Sequence, residues 1–297
     1  MRMNPTLADE SLFTRTADLV ERELERLLAD AQLPPGLLEA TRYGVLGGGK
    51  RLRPTLVILS CEASGGETGA ALHAAAALEL VHCFSLVHDD LPALDDDQLR
   101  RGAPTLHVHS GEAMAILAGD LMLPLAFHEL SRGETTPEIS ATLVRELAEG
   151  TKAMVIGQVF DTLGGMPAEL AREDQLRLVH RNKTGALLRT ACRMGACCGN
   201  ASGETLAALT SYGEAVGLMF QVVDDLLDVT QTAEHIGKAT GKDEASGKLT
   251  YPGLLGVERS RQVVMELKDQ AIASLDSIGS TADPLKELCQ YMALRTK

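Results

Sequence analysis

Apolar side chains recur along this chain at helical spacing, with polar runs and Gly/Pro breaks between them. Ser11 to Ala31 predicts an amphipathic helix whose stripe is Leu12, Ala17, Val20, Leu24, Leu27 and Leu28. The Pro34-Pro35-Gly36 break separates it from a short helix reaching about Leu46. Next come a glycine-rich basic loop, Gly47-Gly48-Gly49-Lys50-Arg51-Leu52-Arg53-Pro54, and a helix over about Pro54 to Ala63. Leu72 to Val87 is apolar or small at most positions, which suits a largely buried helix. Further helices are predicted over Ala113–Leu130, Glu138–Thr162, Glu169–Cys198, Thr205–Asp228, Tyr251–Ile278 and Pro284–Arg295. There is no convincing β alternation and no linker long enough to divide the chain. Gly237 to Gly247 has the composition of a mobile segment. The pattern predicts an all-α fold, with residues 1–297 as a single domain.

Two of these helices end in acids. Five aspartates lie between Asp89 and Asp97, and Pro92 should stop the preceding helix near Asp90 or Leu91. Asp89 and Asp90 then fall in a last helical turn, where the helix end disfavours carboxylates. A cation is expected to offset them. Leu218 to Asp228 repeats the arrangement, with Asp224 and Asp228 sharing a face and Gln221 one turn earlier. Two such helix ends suggest one cavity lined from opposite sides. Hard oxygen ligands of this kind suit magnesium, which bridges carboxylates to substrate phosphates.

Composition narrows the classes. The chain has 297 residues, 45% hydrophobic, with no tryptophan and 3% aromatic residues, so Ala, Leu and Val must build the core. A net charge of -13 argues against a nucleic-acid partner. The N-terminal stretch shows no apolar signal segment and no run approaches about 18 apolar residues, so the expectation is a cytoplasmic protein without a stable membrane anchor. Cys61, Cys83, Cys192, Cys197, Cys198 and Cys289 show no paired CxxC spacing and read as free, largely buried thiols.

Basic residues recur beside the acids. The glycine-rich loop lacks P-loop spacing, yet its glycines let backbone amides approach an anion, and Lys50 and Arg53 are suited to phosphate. His82 lies two turns before Asp89 on the same helix face. Arg100 and Arg101 follow the first acidic cluster, Lys183-Thr184 interrupts a long helix, and Lys238 and Lys242 lie in the glycine-rich segment. With magnesium between them, carboxylates become an anion site. A ligand with a diphosphate head and a hydrocarbon tail fits these charges and alkyl-rich helices.

The ordered motifs resemble those of isoprenyl diphosphate synthases, most closely bacterial farnesyl diphosphate synthases. Asp89-Asp90-Leu91-Pro92-Ala93-Leu94-Asp95 matches the first aspartate-rich motif, and Asp224-Asp225-Leu226-Leu227-Asp228 the second. GGGKRLRP, Arg100-Arg101-Gly102, Gly157-Gln158, Lys183-Thr184-Gly185 and Gly237-Lys238 through Lys242-Asp243 stand in the family's order. The resemblance implies a bundle of helices around a deep central cavity, a homodimer, and three magnesium ions per site. Asp89 and Asp95 would bind two ions and Asp224 a third, supported by Asp90, Asp225 and Asp228. Lys50, Arg53, His82 and Arg101 would hold isopentenyl diphosphate, and Arg100, Lys183 and Lys242 the allylic diphosphate. Thr184 and Gln221 would steady the allyl cation. Phe84 and Ser85, one turn or more below Asp89, would set chain length, and an aromatic residue at Phe84 implies a farnesyl product. A geranylgeranyl product and a non-catalytic partner subunit are the alternatives.

Overall fold

A computed structural model describes residues 7–133, 135–234 and 249–295. It is all-α, as the periodicity predicts. The helices are α1 (Leu7–Asp30), α2 (Pro35–Leu46), α3 (Leu52–Ala63), α4 (Thr68–Asp89), α5 (Leu106–Ser110), α6 (Glu112–Arg132) and α7 (Pro137–Thr162). They continue with α8 (Arg172–His180), α9 (Ala186–Cys198), α10 (Gly203–Glu234), α11 (Tyr251–Leu255), α12 (Val257–Ser274) and α13 (Asp283–Leu294). Backbone contacts group the chain into two compact units. One is Met1–Leu147 with Met194–Ala201; the other is Ala148–Arg193 with Ser202–Lys297.

In the first unit α4 packs against α3 and α6. Ala74, Ala75, Ala76 and Ala77 are all buried, so small side chains let neighbouring helices come close. Leu56, Ile58, Leu59, Leu78 and Leu80 fill the remaining space, each favouring the folded state by about 1.5–3 kcal/mol. The α1 stripe behaves as predicted over Val20, Leu24, Leu27 and Leu28, all buried. In the second unit α10 packs along α12. The Tyr212 ring is fully buried there, and its hydroxyl donates to the Leu285 carbonyl at 2.7 Å. Cys61, Cys83, Cys192 and Cys289 are buried free thiols, and burial pushes Cys83 and Cys289 up to about 12.

Several boundaries depart from the periodicity. The expected helix over 169–198 is broken by a π-helical turn, Arg181–Gly185. Tyr251–Ile278 divides at Gly256, whose φ of 80° separates α11 from α12. The β-poor reading missed a hairpin, β1 (Leu99–Arg100) against β2 (Ala103–Pro104). Its two-residue turn, Arg101-Gly102, has φ of 54° and 81°, which matches strand twist. Gly237–Gly247 lies outside the described residues.

One expectation is corrected. Thr68–Asp89, Glu112–Arg132 and Gly203–Thr230 are each long and apolar enough to cross a membrane by length and composition. Uninterrupted apolar runs were the wrong criterion, because alanine and leucine interspersed with a few polar residues reach the same hydropathy. In α4 that apolar character is directed at α3 and α6, and 61% of its most apolar window is buried inside the fold.

Candidate active site

The glycine-rich loop is shaped by residues that favour left-handed backbone. Gly48 and Gly49 have φ of 79° and 130°, and Arg51 stands at 47° as the N-cap of α3. Arg51 tolerates this because its fully buried guanidinium is tied down. It donates to Glu79 Oε1 at 2.7 Å and to the Val45 carbonyl at 2.9 Å. That brace presents the residues on either side of it. Lys50 is exposed, while Arg53 Nη1 lies 3.2 Å from His82 Nε2. The Arg101 guanidinium donates to the Gly48 carbonyl and covers Gly49, where a Cβ would lie 2.7 Å from Cζ. Lys50, Arg53, His82 and Arg101, predicted to serve one diphosphate, therefore gather around a single loop. Burial, with Arg53 and Arg101 beside it, holds His82 well below the usual imidazole range. His82 is neutral at pH 7, so the positive charge here comes from lysine and arginine.

The first acidic cluster leaves α4 as expected, with Asp89 the last helical residue and Asp90 its C-cap. The loop then turns back, and the Asp95 amide donates to the Asp89 carbonyl at 2.9 Å. Asp90 is buried and receives Arg100 Nε at 2.8 and 2.9 Å on its two oxygens, with Nη2 on Oδ1 as well. Burial opposes the Arg100 charge, but Asp90 overcomes it and raises the guanidinium pKa. Asp90 is thus neutralised by arginine, whereas Asp89 is half-buried and Asp95 is exposed. Two hard carboxylates on one tight turn fit a magnesium ion. On the opposite side of α4, the Phe84 ring meets His88 edge-on at 4.9 Å. His88 Nε2 is in turn 3.1 Å from the Ile116 carbonyl of α6. Ser85 turns its hydroxyl back to the His82 carbonyl at 2.8 Å.

In the second unit the π turn carries Lys183 and Thr184. Gly157 of α7 lies so close beneath it that a Cβ would meet Lys183 Cα at 2.5 Å and Asn182 C at 2.7 Å. Lys183 Nζ pairs with Asp161 Oδ2 at 2.6 Å. The Thr184 hydroxyl donates to Gln221 Oε1 at 2.8 Å, and Gln221 Nε2 donates to Asp225 Oδ1 at 3.1 Å. Asp225 is buried, also accepts the Tyr251 amide at 3.0 Å, and has His180 Nε2 3.4 Å away. Gln221 therefore serves Asp225, one turn on, rather than Asp224. Asp224 is partly exposed and paired with Arg295, whose guanidinium also lies 3.9 Å over the Phe220 ring. Lys242 lies outside the described residues.

The family model described as polyprenyl synthetase matches residues 34–288. The chain belongs to this family. It is 44% identical over 293 residues to geranylgeranyl pyrophosphate synthase 11, chloroplastic, of Arabidopsis thaliana, covering 96% of this chain and 82% of that protein. Among solved structures it is similar to an FPP/GFPP synthase from Zymomonas mobilis, with 34% identity and a TM-score of 0.84, covering 96% of this chain and 99% of that one. It is also similar to a geranylgeranyl pyrophosphate synthetase from Pyrococcus horikoshii, with 30% identity and a TM-score of 0.85, covering 96% and 99%.

As a polyprenyl synthetase the chain shows partners that its motifs did not disclose. Asp161 follows Gly157-Gln158 by one helical turn, a spacing that could have suggested a role beside Lys183. Arg295 lies 71 residues from Asp224, and nothing local links the two. Glu79 was read only as part of an ExxH pattern with His82. Its carboxylate is engaged by Arg51, which removes it from any metal role suggested by that pattern.

Proposed function

We propose that this polyprenyl synthetase is a trans-prenyltransferase that condenses isopentenyl diphosphate with allylic diphosphates and releases geranylgeranyl diphosphate. The observation that carries the prenyl-transfer reading is one unit's pairing of a basic cluster with the acidic turn Asp89–Asp95. The cluster is Lys50, Arg53 and Arg101 around neutral His82. A basic loop suits one diphosphate, and an acidic turn that fits a hard cation suits a second.

Lys50, Arg53 and Arg101 would bind the isopentenyl diphosphate through charge-assisted hydrogen bonds, with His82 adding a neutral one. Arg100, Lys183 and Lys242 would hold the allylic diphosphate, which is the leaving group. The allylic C–O bond breaks, the alkene of isopentenyl diphosphate attacks the allyl cation, and a proton is lost. Magnesium ions held by Asp89, Asp95 and Asp224 would offset the negative charge that develops on the departing pyrophosphate. Thr184 and Gln221, already hydrogen-bonded to each other, would turn oxygen dipoles toward the cation. Asp161 would orient Lys183, and Asp90 would orient Arg100.

A 20-carbon product is favoured by the geranylgeranyl pyrophosphate synthase at 44% identity. It also agrees with the Phe84 ring being held against His88, offset by about 140° from the aspartate face of α4. Ser85, the small side chain nearer that face, leaves room for a longer tail. A farnesyl product retains one specific observation in its favour, the aromatic side chain at Phe84 itself. Wild type and Phe84→Ala, incubated with dimethylallyl and isopentenyl diphosphates, should give the same 20-carbon product. A 15-carbon wild-type product that lengthens in Phe84→Ala would restore the farnesyl reading. Exposed Val155, Ile156, Val159 and Leu163 along α7 and just beyond it support a homodimer. The plant relative is named as chloroplastic, so a plastid stands beside the cytoplasm as a compartment to test by fractionation.

A further inference from the structure

Glu23 on α1, His73 on α4 and Glu129 on α6 bring two carboxylates and an imidazole nitrogen within 4.8 Å of one another. None of the three belongs to the groups assigned to diphosphate. His73 Nδ1 lies 2.6 Å from Glu129 Oε1 and 3.4 Å from Glu23 Oε1. Ligands of a tetrahedral ion with bonds of about 2.0–2.1 Å stand about 3.3 Å apart, a value these separations bracket. The Glu129 side chain has 0% exposure, yet its Oε2 has no hydrogen-bond partner. A buried carboxylate oxygen left in that condition is unfavourable and is well suited to a cation.

Charge bookkeeping points the same way. Around the cluster stand Glu23, Glu129 and Asp30 against the guanidiniums of Arg26 and Arg132. A proton on His73 restores balance, and the Glu129 hydrogen bond raises the His73 pKa accordingly. A divalent ion could supply the positive charge instead. Arg26 now bridges Glu23 at 2.6 Å and Glu129 at 2.8 Å, but it is 37% exposed and already reaches Asp30 at 3.0 Å. It can swing to Asp30 and yield the carboxylates. His73 is 28% exposed, which gives an ion a route from solvent. One imidazole with two carboxylates is a donor set for zinc-type ions rather than for magnesium.

We infer that Glu23, His73 and Glu129 form a binding site for one zinc-type divalent ion, separate from the aspartate clusters, that ties α1, α4 and α6 together. The test uses the purified full chain, stripped with chelator and equilibrated with zinc in a large excess of magnesium. Wild type should retain one zinc per chain more than His73→Ala, with Glu129→Gln losing the same ion. At about a hundredfold over its dissociation constant, zinc should raise Tm by about 5 °C in wild type and leave His73→Ala unchanged. Magnesium-dependent turnover of His73→Ala should stay within about twofold of wild type. Equal zinc in wild type and His73→Ala, or an equal Tm shift in both, would overturn the inference. If Glu129→Gln does not fold, the partly exposed His73→Ala carries the comparison alone.

Discussion

Replacing Gly157 with alanine probes the closest backbone approach in the second unit. The added Cβ would run into the Lys183 amide nitrogen and lie 2.5 Å from Lys183 Cα and 2.7 Å from Asn182 C. These are backbone atoms, so no side-chain rotation relieves them. Ordinary van der Waals contact begins at 3.4 Å, so α7 and the π turn must separate by about 0.9 Å. Overpacking of this kind costs about 1–3 kcal/mol, which corresponds to a Tm lower by about 3–6 °C. Catalysis should suffer more. The shift pulls Lys183 off Asp161 and carries Thr184 away from Gln221, and misplacement by about 1 Å costs about a hundredfold in turnover. Steady-state kcat with the allylic substrate varied, alongside thermal melting, reads both effects. Gly69→Ala, on the exposed first turn of α4 with nothing within 4 Å, is the control and should leave both unchanged. A Gly157→Ala enzyme with kcat within threefold of wild type would refute the positioning role given to that contact.

Asp89→Ala and Asp224→Ala should each lower turnover by about a hundredfold or more in saturating magnesium while helicity by circular dichroism is kept; near-normal turnover in either, or in chelator, would remove the metal role. Lys50→Ala and Arg53→Ala should raise the KM for isopentenyl diphosphate by about tenfold to a hundredfold and leave the allylic KM nearly unchanged. Arg100→Ala should instead weaken the allylic substrate. It should also destabilise the protein by about 3–5 kcal/mol, because Asp90 is left charged, buried and unpartnered. A melting temperature equal to that of wild type would contradict the Asp90–Arg100 account. The depressed His82 pKa has a defined sign. Its contribution to stability is fully present above the unfolded pKa of about 6.5 and is lost, by up to about 1.4 kcal/mol per pH unit, as pH falls below it. His82→Gln should flatten that acid limb in urea titrations at pH 7 and 5; parallel losses in both proteins would rule the assignment out.

Much of the fold was legible because helical periodicity is local. The α4 stop at Asp89 followed from Pro92, and the buried stripe of α1 from its leucines. The π turn at Arg181–Gly185 was legible only as an interruption, since one inserted residue leaves the apolar pattern on either side intact. The Arg101-Gly102 hairpin was too short to show alternation, although its turn chemistry was present. In the site, the residues that meet around the glycine-rich loop could be named because their types carry the chemistry. Their braces could not. Arg51 to Glu79 spans 28 positions and Asp224 to Arg295 spans 71, so only tertiary packing brings them together. Phe84 shows the limit of periodicity from the other side. Its helical angle put the ring off the aspartate face, but that it rests on His88 depends on α6.

The most direct test of the central claim is to incubate purified enzyme and magnesium with dimethylallyl and labelled isopentenyl diphosphates, then size the dephosphorylated products. The account predicts pyrophosphate release that requires both substrates and a 20-carbon chain as the end product. Pyrophosphate released from the allylic substrate alone, or no chain elongation at all, would contradict prenyl transfer. A terminal 15-carbon product would contradict the chain length assigned to it.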